Sequence, residues 1–373
     1  MRVVICPDKF AGTLSAVDAA AAVEAGWRAA APRDDVRAIP LADGGPGFID
    51  VLAAAVPGNR VPVPVVDPLG RRVPAEFLLS GDTAYLESAQ ACGLHLLDPG
   101  ERDPNRTTSY GLGLMLFTAI ESGARRVVIG LGGSATNDGG AGMLAALDAA
   151  PVDEAGFALP YGGAALIGCV GLAGHPRVRA GVRLVAATDV DNPLTGLHGA
   201  SAVFGPQKGA SREDVMRLDA ALERFAGVLE KDLEGCPPGL AARPGAGAAG
   251  GLGAALIALG GEVVSGVGLV REAVRLDAAL DDADLVITGE GSFDHQSLRG
   301  KVVSGVAAAA RDRGLPCVVV AGRVSAGRRE AAAAGVTEAH ALVEEMGGVD
   351  AAMARPAEGL RRLGERLARQ WSR

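Results

Sequence analysis

Apolar positions along the chain come in short runs rich in Val and Ile, at residues 3–6, 36–41, 127–130, 184–187, 285–288, 316–321 and 339–343. Runs this short, bounded by turn formers, predict buried strands. Between most of them lie Ala-rich segments at helical spacing, such as residues 16–31, 211–232 and 302–313. The alternation predicts an α/β fold with mainly parallel strands. One stretch breaks the rhythm. Residues 60–66, 72–79 and 83–87 are strand-like pieces separated by turn residues with no helix between them, which reads as an antiparallel meander. Strands joined by tight turns belong in one sheet, so a domain border is expected just before the meander, near Pro57-Gly58-Asn59, with the return near Asp281-Asp282. The expected domains are residues 1–60 plus 282–373, and an inserted α/β domain over 61–281 with a mixed sheet. Two crossings make a hinge, and a cleft between lobes is a common place for a ligand.

At 373 residues and 49% apolar, the chain has core enough for two domains. Its 36 basic and 44 acidic residues give −8, with no basic block interleaved with aromatics, so neither the charge nor the pattern of a nucleic-acid binder is present. The N-terminus enters a strand directly, without a charged region and cleavable apolar stretch, and the apolar runs are too short and Gly-broken for a bilayer. The expected compartment is the cytoplasm, with no membrane partner. Five widely spaced cysteines, Cys6, Cys92, Cys169, Cys236 and Cys317, read as reduced thiols. The five histidines form no close pair, which leaves zinc little support. A metal would then be held by carboxylates and phosphates, and Mg²⁺ suits such a site.

The strand at 127–130 runs into Gly130-Leu131-Gly132-Gly133-Ser134-Ala135-Thr136-Asn137-Asp138-Gly139-Gly140, and then a helix. Glycines admit positive φ and let N–H groups approach an oxyanion, and a helix N-terminus adds the favourable end of its dipole. Gly132, Gly133, Ser134 and Asn137 are therefore the candidate phosphate cradle. Lysine is rare: only Lys9, Lys208, Lys231 and Lys301 occur, and three of the four sit in glycine-bearing motifs. A compact ammonium beside phosphate oxygens is a different tool from a guanidinium.

Acids follow the strand ends, where ligands of open α/β sheets collect. They are Asp8 with Lys9, Asp43 before Gly44-Gly45, Asp189 through Asn192-Pro193, and Gly289-Glu290-Gly291-Ser292-Phe293-Asp294. No Gly-x-x-x-x-Gly-Lys-Ser/Thr occurs. Gly245-Ala246-Gly247-Ala248-Ala249-Gly250 matches the dinucleotide pattern, yet Ala241-Ala242-Arg243-Pro244 precedes it where a strand is required. Those glycines serve close packing or an anion contact, with Gly247 the candidate for the latter. Gly130 through Ala135 also partly resembles the phosphate loop of galactokinase-type kinases, with Arg126 where that motif carries Pro.

Taken in order, the motifs resemble the bacterial glycerate kinases that make 2-phosphoglycerate. The matching stretches are residues 7–16, 40–45, 107–111, 130–143, 189–194, 204–210, 244–251 and 287–294, nearly the whole chain. The resemblance implies ATP and Mg²⁺ as cosubstrates, glycerate as acceptor, and a discontinuous Rossmann- or flavodoxin-like domain carrying an inserted α/β domain. Pro46 stands where the family often has Glu, Ala11 where Lys is common and Ser292 where Arg is common. Loss of two cations and one acid bears on acceptor choice, with Lys9 and Arg299 nearby to compensate.

Phosphoryl transfer needs an aligned hydroxyl, screened phosphate charge and a proton acceptor. The expected roles follow. Asp189 is the base for the acceptor hydroxyl, and Lys208 and Lys301 supply countercharge. Gly132, Gly133, Ser134, Asn137 and Gly247 bind phosphate or nucleotide. Asp8, Lys9, Asp43, Asn192, Glu290 and Asp294 bind substrate, Asp294 being equally suited to a helix cap. Asp138 or Asp43 binds Mg²⁺. The rival readings are a kinase of another small hydroxy acid, or of the glycerate 3-hydroxyl, and a non-catalytic sensor of nucleotide or hydroxy acid.

Overall fold

The computed structural model describes residues 1–10, 12–295, 297–298 and 302–372. Its strands, in chain order, are β1 (Arg2–Ile5), β2 (Asp35–Ala38), β3 (Asn59–Val66), β4 (Arg72–Ser80), β5 (Thr83–Glu87), β6 (Arg126–Gly130) and β7 (Ala150–Val152). They continue as β8 (Gly171–Ala173), β9 (Arg183–Ala187), β10 (Glu262–Val264), β11 (Leu285–Phe293), β12 (Cys317–Val324) and β13 (Glu338–Ala341). The fold is mixed α/β, as the alternation of apolar runs implied.

The chain divides into two compact units. The first comprises Met1–Asp43, Asp50–Val56 and Val267–Arg373; the second comprises Gly44–Ile49 and Pro57–Gly266. The lines expected at 60/61 and 281/282 therefore fall at 56/57 and 266/267. From Val267 onward the chain falls in the first unit, where Arg313 binds Asp277 and Asp281, at 3.2 and 2.7 Å, and Arg271 reaches Asp277 at 2.8 Å. The Asp-Asp pair at 281–282 marks only a helix end.

In the first unit five parallel strands lie in the order β13-β12-β11-β1-β2. Counted within this unit, that is the 2-1-3-4-5 order of flavodoxin-type sheets, whose switch point lies between β1 and β11. Helix Ala16–Ala30 starts where Ser15 accepts the Asp18 N–H, and it buries Ala16, Ala19, Ala20, Val23 and Trp27 on one face. That face crosses helix Pro356–Trp371 very closely. A Cβ on Gly26 would lie 1.9 Å from the Arg361 carbonyl oxygen, so only glycine admits this approach. Buried Trp27 donates to Asp34, which also takes the Met1 ammonium at 2.7 Å.

In the second unit six strands run β10-β9-β6-β5-β4-β3. Neighbours from β10 to β5 are parallel, and β5-β4-β3 is the antiparallel meander read from the sequence. Val127, Val128 and Ile129 of β6 are all buried, the mark of a strand covered on both faces. The hairpin β7-β8 and strand β10, each three residues, were too short to stand out as apolar runs. Strand β11 runs to Phe293, five residues beyond the expected end, so the stretch read as a glycine-rich loop pairs with β12 instead, Glu290 opposite Ala321 and Ser292 opposite Arg323. No helix among the described residues is long and apolar enough to cross a membrane.

Candidate active site

In the second unit, the carboxyl ends of β5, β6, β9 and β10 gather most of the expected chemistry on one sheet edge. Beyond β6, the Leu131 N–H donates to Ala187 of β9, and Gly133 then takes φ +68°. Gly132 is half-buried and Gly133 exposed. The Gly133 carbonyl accepts from Leu94, and the Ala135 N–H goes to the Cys92 carbonyl. Among the described residues no acceptor faces the N–H groups of Gly132, Gly133 and Ser134. Successive N–H groups around a left-handed residue form a concavity with partial positive charge, suited to an anion.

The rest of the loop turns inward. Asn137 is fully buried, and its amide nitrogen donates to Ser201 Oγ at 2.9 Å. Asp138, 1% exposed, accepts from the Ser109 N–H and hydroxyl, both at 2.8 Å, and from the N–H groups of Gly140 and Gly142. Burial raises its pKa against those hydrogen bonds. The expectation that Asp138 binds a metal is therefore corrected: its oxygens are committed to holding the loop against residue 109. Gly247 is corrected likewise, because its N–H donates to the Asn192 carbonyl at 3.0 Å and the residue is buried.

Lys208 reaches the loop from the protein interior. It is 2% exposed and donates from Nζ to Ser134 Oγ at 3.0 Å and to the Thr136 carbonyl at 2.6 Å. Burial lowers its pKa to about 8, against the opposing pull of Asp138. The ammonium that was expected as phosphate countercharge thus acts on Ser134 and the loop backbone. Above the Gly132–Gly133 turn lies the segment Gly44–Gly47, close enough that a Cβ on Gly132 would lie 2.6 Å from Gly45 Cα. Glu87, at the end of β5, accepts from the Gly47 and Ile49 N–H groups and fixes that segment.

At the end of β9, Asp189 is exposed, and its Oδ1 accepts from Ser265 Oγ, just beyond β10, at 2.6 Å. Asn192, expected to touch substrate, gives its side-chain amide to the His198 carbonyl at 2.8 Å and so closes its own turn. Glu87 and Ser265 were not singled out in the sequence. Glu87 had a signal, an acid at the end of a strand-like run; Ser265 had none, since β10 was not recognised.

In the first unit, Asp8 follows β1 at the switch point of the sheet, its N–H donating to the Gly289 carbonyl of β11 at 2.8 Å. Lys9 Nζ lies 3.6 Å from Asp8 and 3.2 Å from Asp43. Burial raises the Asp8 pKa to about 6, with Lys9 opposing and Asp43 adding to the rise. Glu290 stands half-buried on β11. Asp294 exchanges hydrogen bonds with Ser297, the cap-like alternative anticipated for it. Lys301, with Ala11 and Arg299, lies outside the described residues. The five cysteines are free, and no group of three His, Cys, Asp or Glu side chains able to hold a metal occurs among the described residues.

An α/β protein with an N–H nest and an exposed carboxylate at the carboxyl ends of parallel strands has the parts of a phosphate-handling enzyme. Residues 3–372 match the glycerate kinase family. The chain is 43% identical to a glycerate kinase of Halalkalibacterium halodurans, over 94% of this chain and 93% of that one. It is 44% identical to the glycerate 2-kinase of Escherichia coli K12, over 87% and 86%. A crystal structure of a protein assigned as glycerate kinase 2 from Salmonella typhimurium LT2 superposes with a TM-score of 0.81 at 40% identity, covering 99% and 98% of the two chains. The chain belongs to the glycerate kinase family, and it is a phosphotransferase with an alcohol group as acceptor.

Proposed function

We propose that the protein transfers the γ-phosphoryl group of ATP, with Mg²⁺, to the 2-hydroxyl of D-glycerate. The observation that carries this reading is the open N–H nest of Gly132, Gly133 and Ser134 on the same sheet edge as exposed Asp189. The nest suits a phosphoryl group because it donates hydrogen bonds without bringing an acid to it. Asp189, its orientation set by the Ser265 hydroxyl, takes the proton from the acceptor hydroxyl as the new O–P bond forms and the bridging P–O bond to ADP breaks. Lys208 fixes Ser134 and the loop backbone, so the nest keeps its shape through the transfer.

Mg²⁺ is held in such sites by one or two carboxylates plus phosphate oxygens, and when bound it neutralises charge on the transferring group. The residues present fit that demand without a three-carboxylate cluster. Asp43, with its side chain 35% exposed, is accessible, whereas Asp138 is not. Asp8 and Lys9, beside Asp43, are assigned to the acceptor, with Lys9 meeting its carboxylate.

A second reading, transfer to another small hydroxy acid, draws on Pro46. A Cβ on Gly133 would lie 2.9 Å from its ring, so a rigid apolar residue borders the nest at this point. The test is ADP release from ATP and Mg²⁺ with D-glycerate, followed by enolase, which accepts 2-phosphoglycerate but not the 3-isomer. Enolase turnover supports the 2-hydroxyl, and ADP release without it assigns the 3-hydroxyl. No glycerate-dependent ADP release sinks the reading and favours the second acceptor class or a sensor.

A further inference from the structure

The second unit holds a cavity of about 340 Å³ that none of the roles above uses. Its walls include Ala141, Gly142, Leu159, Leu166 and the rings of Tyr110 and Tyr161, and no charged side chain lines it. The chain has only three tyrosines, and two of them line this one cavity, their ring centroids 5.4 Å apart and their planes tilted by 53°. Tyr161 is 53% exposed, so one aromatic wall stands at the mouth.

We propose that this cavity takes the nucleobase of the phosphoryl donor; the inference rests on the reading of the protein as an ATP-dependent kinase. Three arguments converge. The first is chemical: an uncharged, mostly apolar lining with two aromatic rings and their hydroxyls suits a flat neutral heterocycle, whereas glycerate and phosphate are anions that need cations or clustered N–H groups.

The second is topological. Helix Tyr110–Glu121 joins β5 to parallel β6, so it begins at the carboxyl end of the sheet; helix Ala141–Ala146 follows β6 and begins there too. Both helix starts border the cavity, and residues 150–151, 158–162 and 166 close its other side, so part of its wall lies at the sheet end that carries the nest. The third is the chain itself. The loop that presents the Gly132 and Gly133 N–H groups runs on to Ala141 and Gly142 in the cavity wall, and Asp138, bonded to Ser109 and Gly142, locks the two together. The cavity wall and the nest are thus held by one continuous segment of chain, which places base and phosphate contacts on the same loop.

The test is binding of ADP and of inorganic tripolyphosphate to the whole protein by calorimetry, in the unaltered chain and in two variants. Tyr161→Ala removes the aromatic wall at the mouth, and Ala145→Phe fills the cavity from the helix Ala141–Ala146. Loss of one base–aromatic contact predicts about a tenfold rise in the ADP dissociation constant. Tripolyphosphate, which has no base, should bind all three proteins alike. An ADP affinity unchanged in both variants overturns the proposal, as does an equal loss for ADP and tripolyphosphate. Failure of the activity reading shows itself separately, as absence of glycerate-dependent ADP release from the unaltered protein.

Discussion

The two halves of the glycine-rich loop after β6 use the same residue types for opposite ends. At Gly132–Gly133 the backbone is open and its N–H groups point to no acceptor among the described residues; from Asn137 to Gly142 every residue is buried and the carboxylate of Asp138 collects four donors. A short run of glycines with an amide and an acid therefore is not one binding surface. Its exposed half, which we assign to the phosphoryl group, leaves N–H groups open, and its buried half spends its polar groups on holding the loop in place.

The sharpest way to break this contrast is Asp138→Ala. Four donors would be left in a buried site, and the expected loss is ~3 kcal/mol or more in denaturant unfolding. A variant of unaltered stability that needs more Mg²⁺ would restore Asp138 to the metal. Next is Asp189→Asn, which removes an exposed group: stability should hold while turnover falls by ~10²-fold or more. Near-normal turnover would take the base role from Asp189. Gly133→Ala probes the open half itself, since a Cβ at φ +68° costs ~1–2 kcal/mol and meets Pro46. About a tenfold loss of turnover is expected, with the larger part of the change in nucleotide affinity, measured by steady-state kinetics at varied ATP.

Lys208 joins the halves and gives a prediction in pH. Its folded value of about 8 lies below the ordinary 10.5, so between these values the unfolded chain binds the extra proton and stability rises with pH. Activity should move the other way, declining as pH rises through about 8, because the ammonium that grips Ser134 and Thr136 is lost. Lys208→Met should abolish both trends; an unaltered alkaline limb of the rate profile would free the loop from Lys208. The smallest effect belongs to Asn192→Ala. Among the described residues its side-chain amide donates to a turn carbonyl, so kinetics should stay within about twofold, with ~1 kcal/mol lost in stability. A large rise in the glycerate KM would return it to the substrate.

Much of the fold was legible because its signals are local. The strands β1, β6, β9 and β12 are dense apolar runs, and the meander β3-β4-β5 shows as strands without intervening helices. What escaped was short or spatial. Strand β10 has three residues, and with it went Ser265, which donates to Asp189. The line at 266/267 rests on contacts between segments far apart in sequence, as where Arg313 meets Asp277 and Asp281, 32 to 36 positions away. Of the proposed site residues, Asp189 and Gly133 are exposed just beyond strand ends. Asp138, Gly247 and Asn192 carry the same motifs but give their polar groups to neighbours.

The sequence by itself determined the α/β class and the family, because periodicity, glycine content and motif order are properties of contiguous residues. Only the tertiary structure decided which polar groups of those motifs face outward. A group spent in the buried interior has no exposed lone pair or N–H left for a ligand, and the Asp138–Ser109, Gly247–Asn192 and Lys208–Ser134 bonds join residues that sequence distance keeps apart.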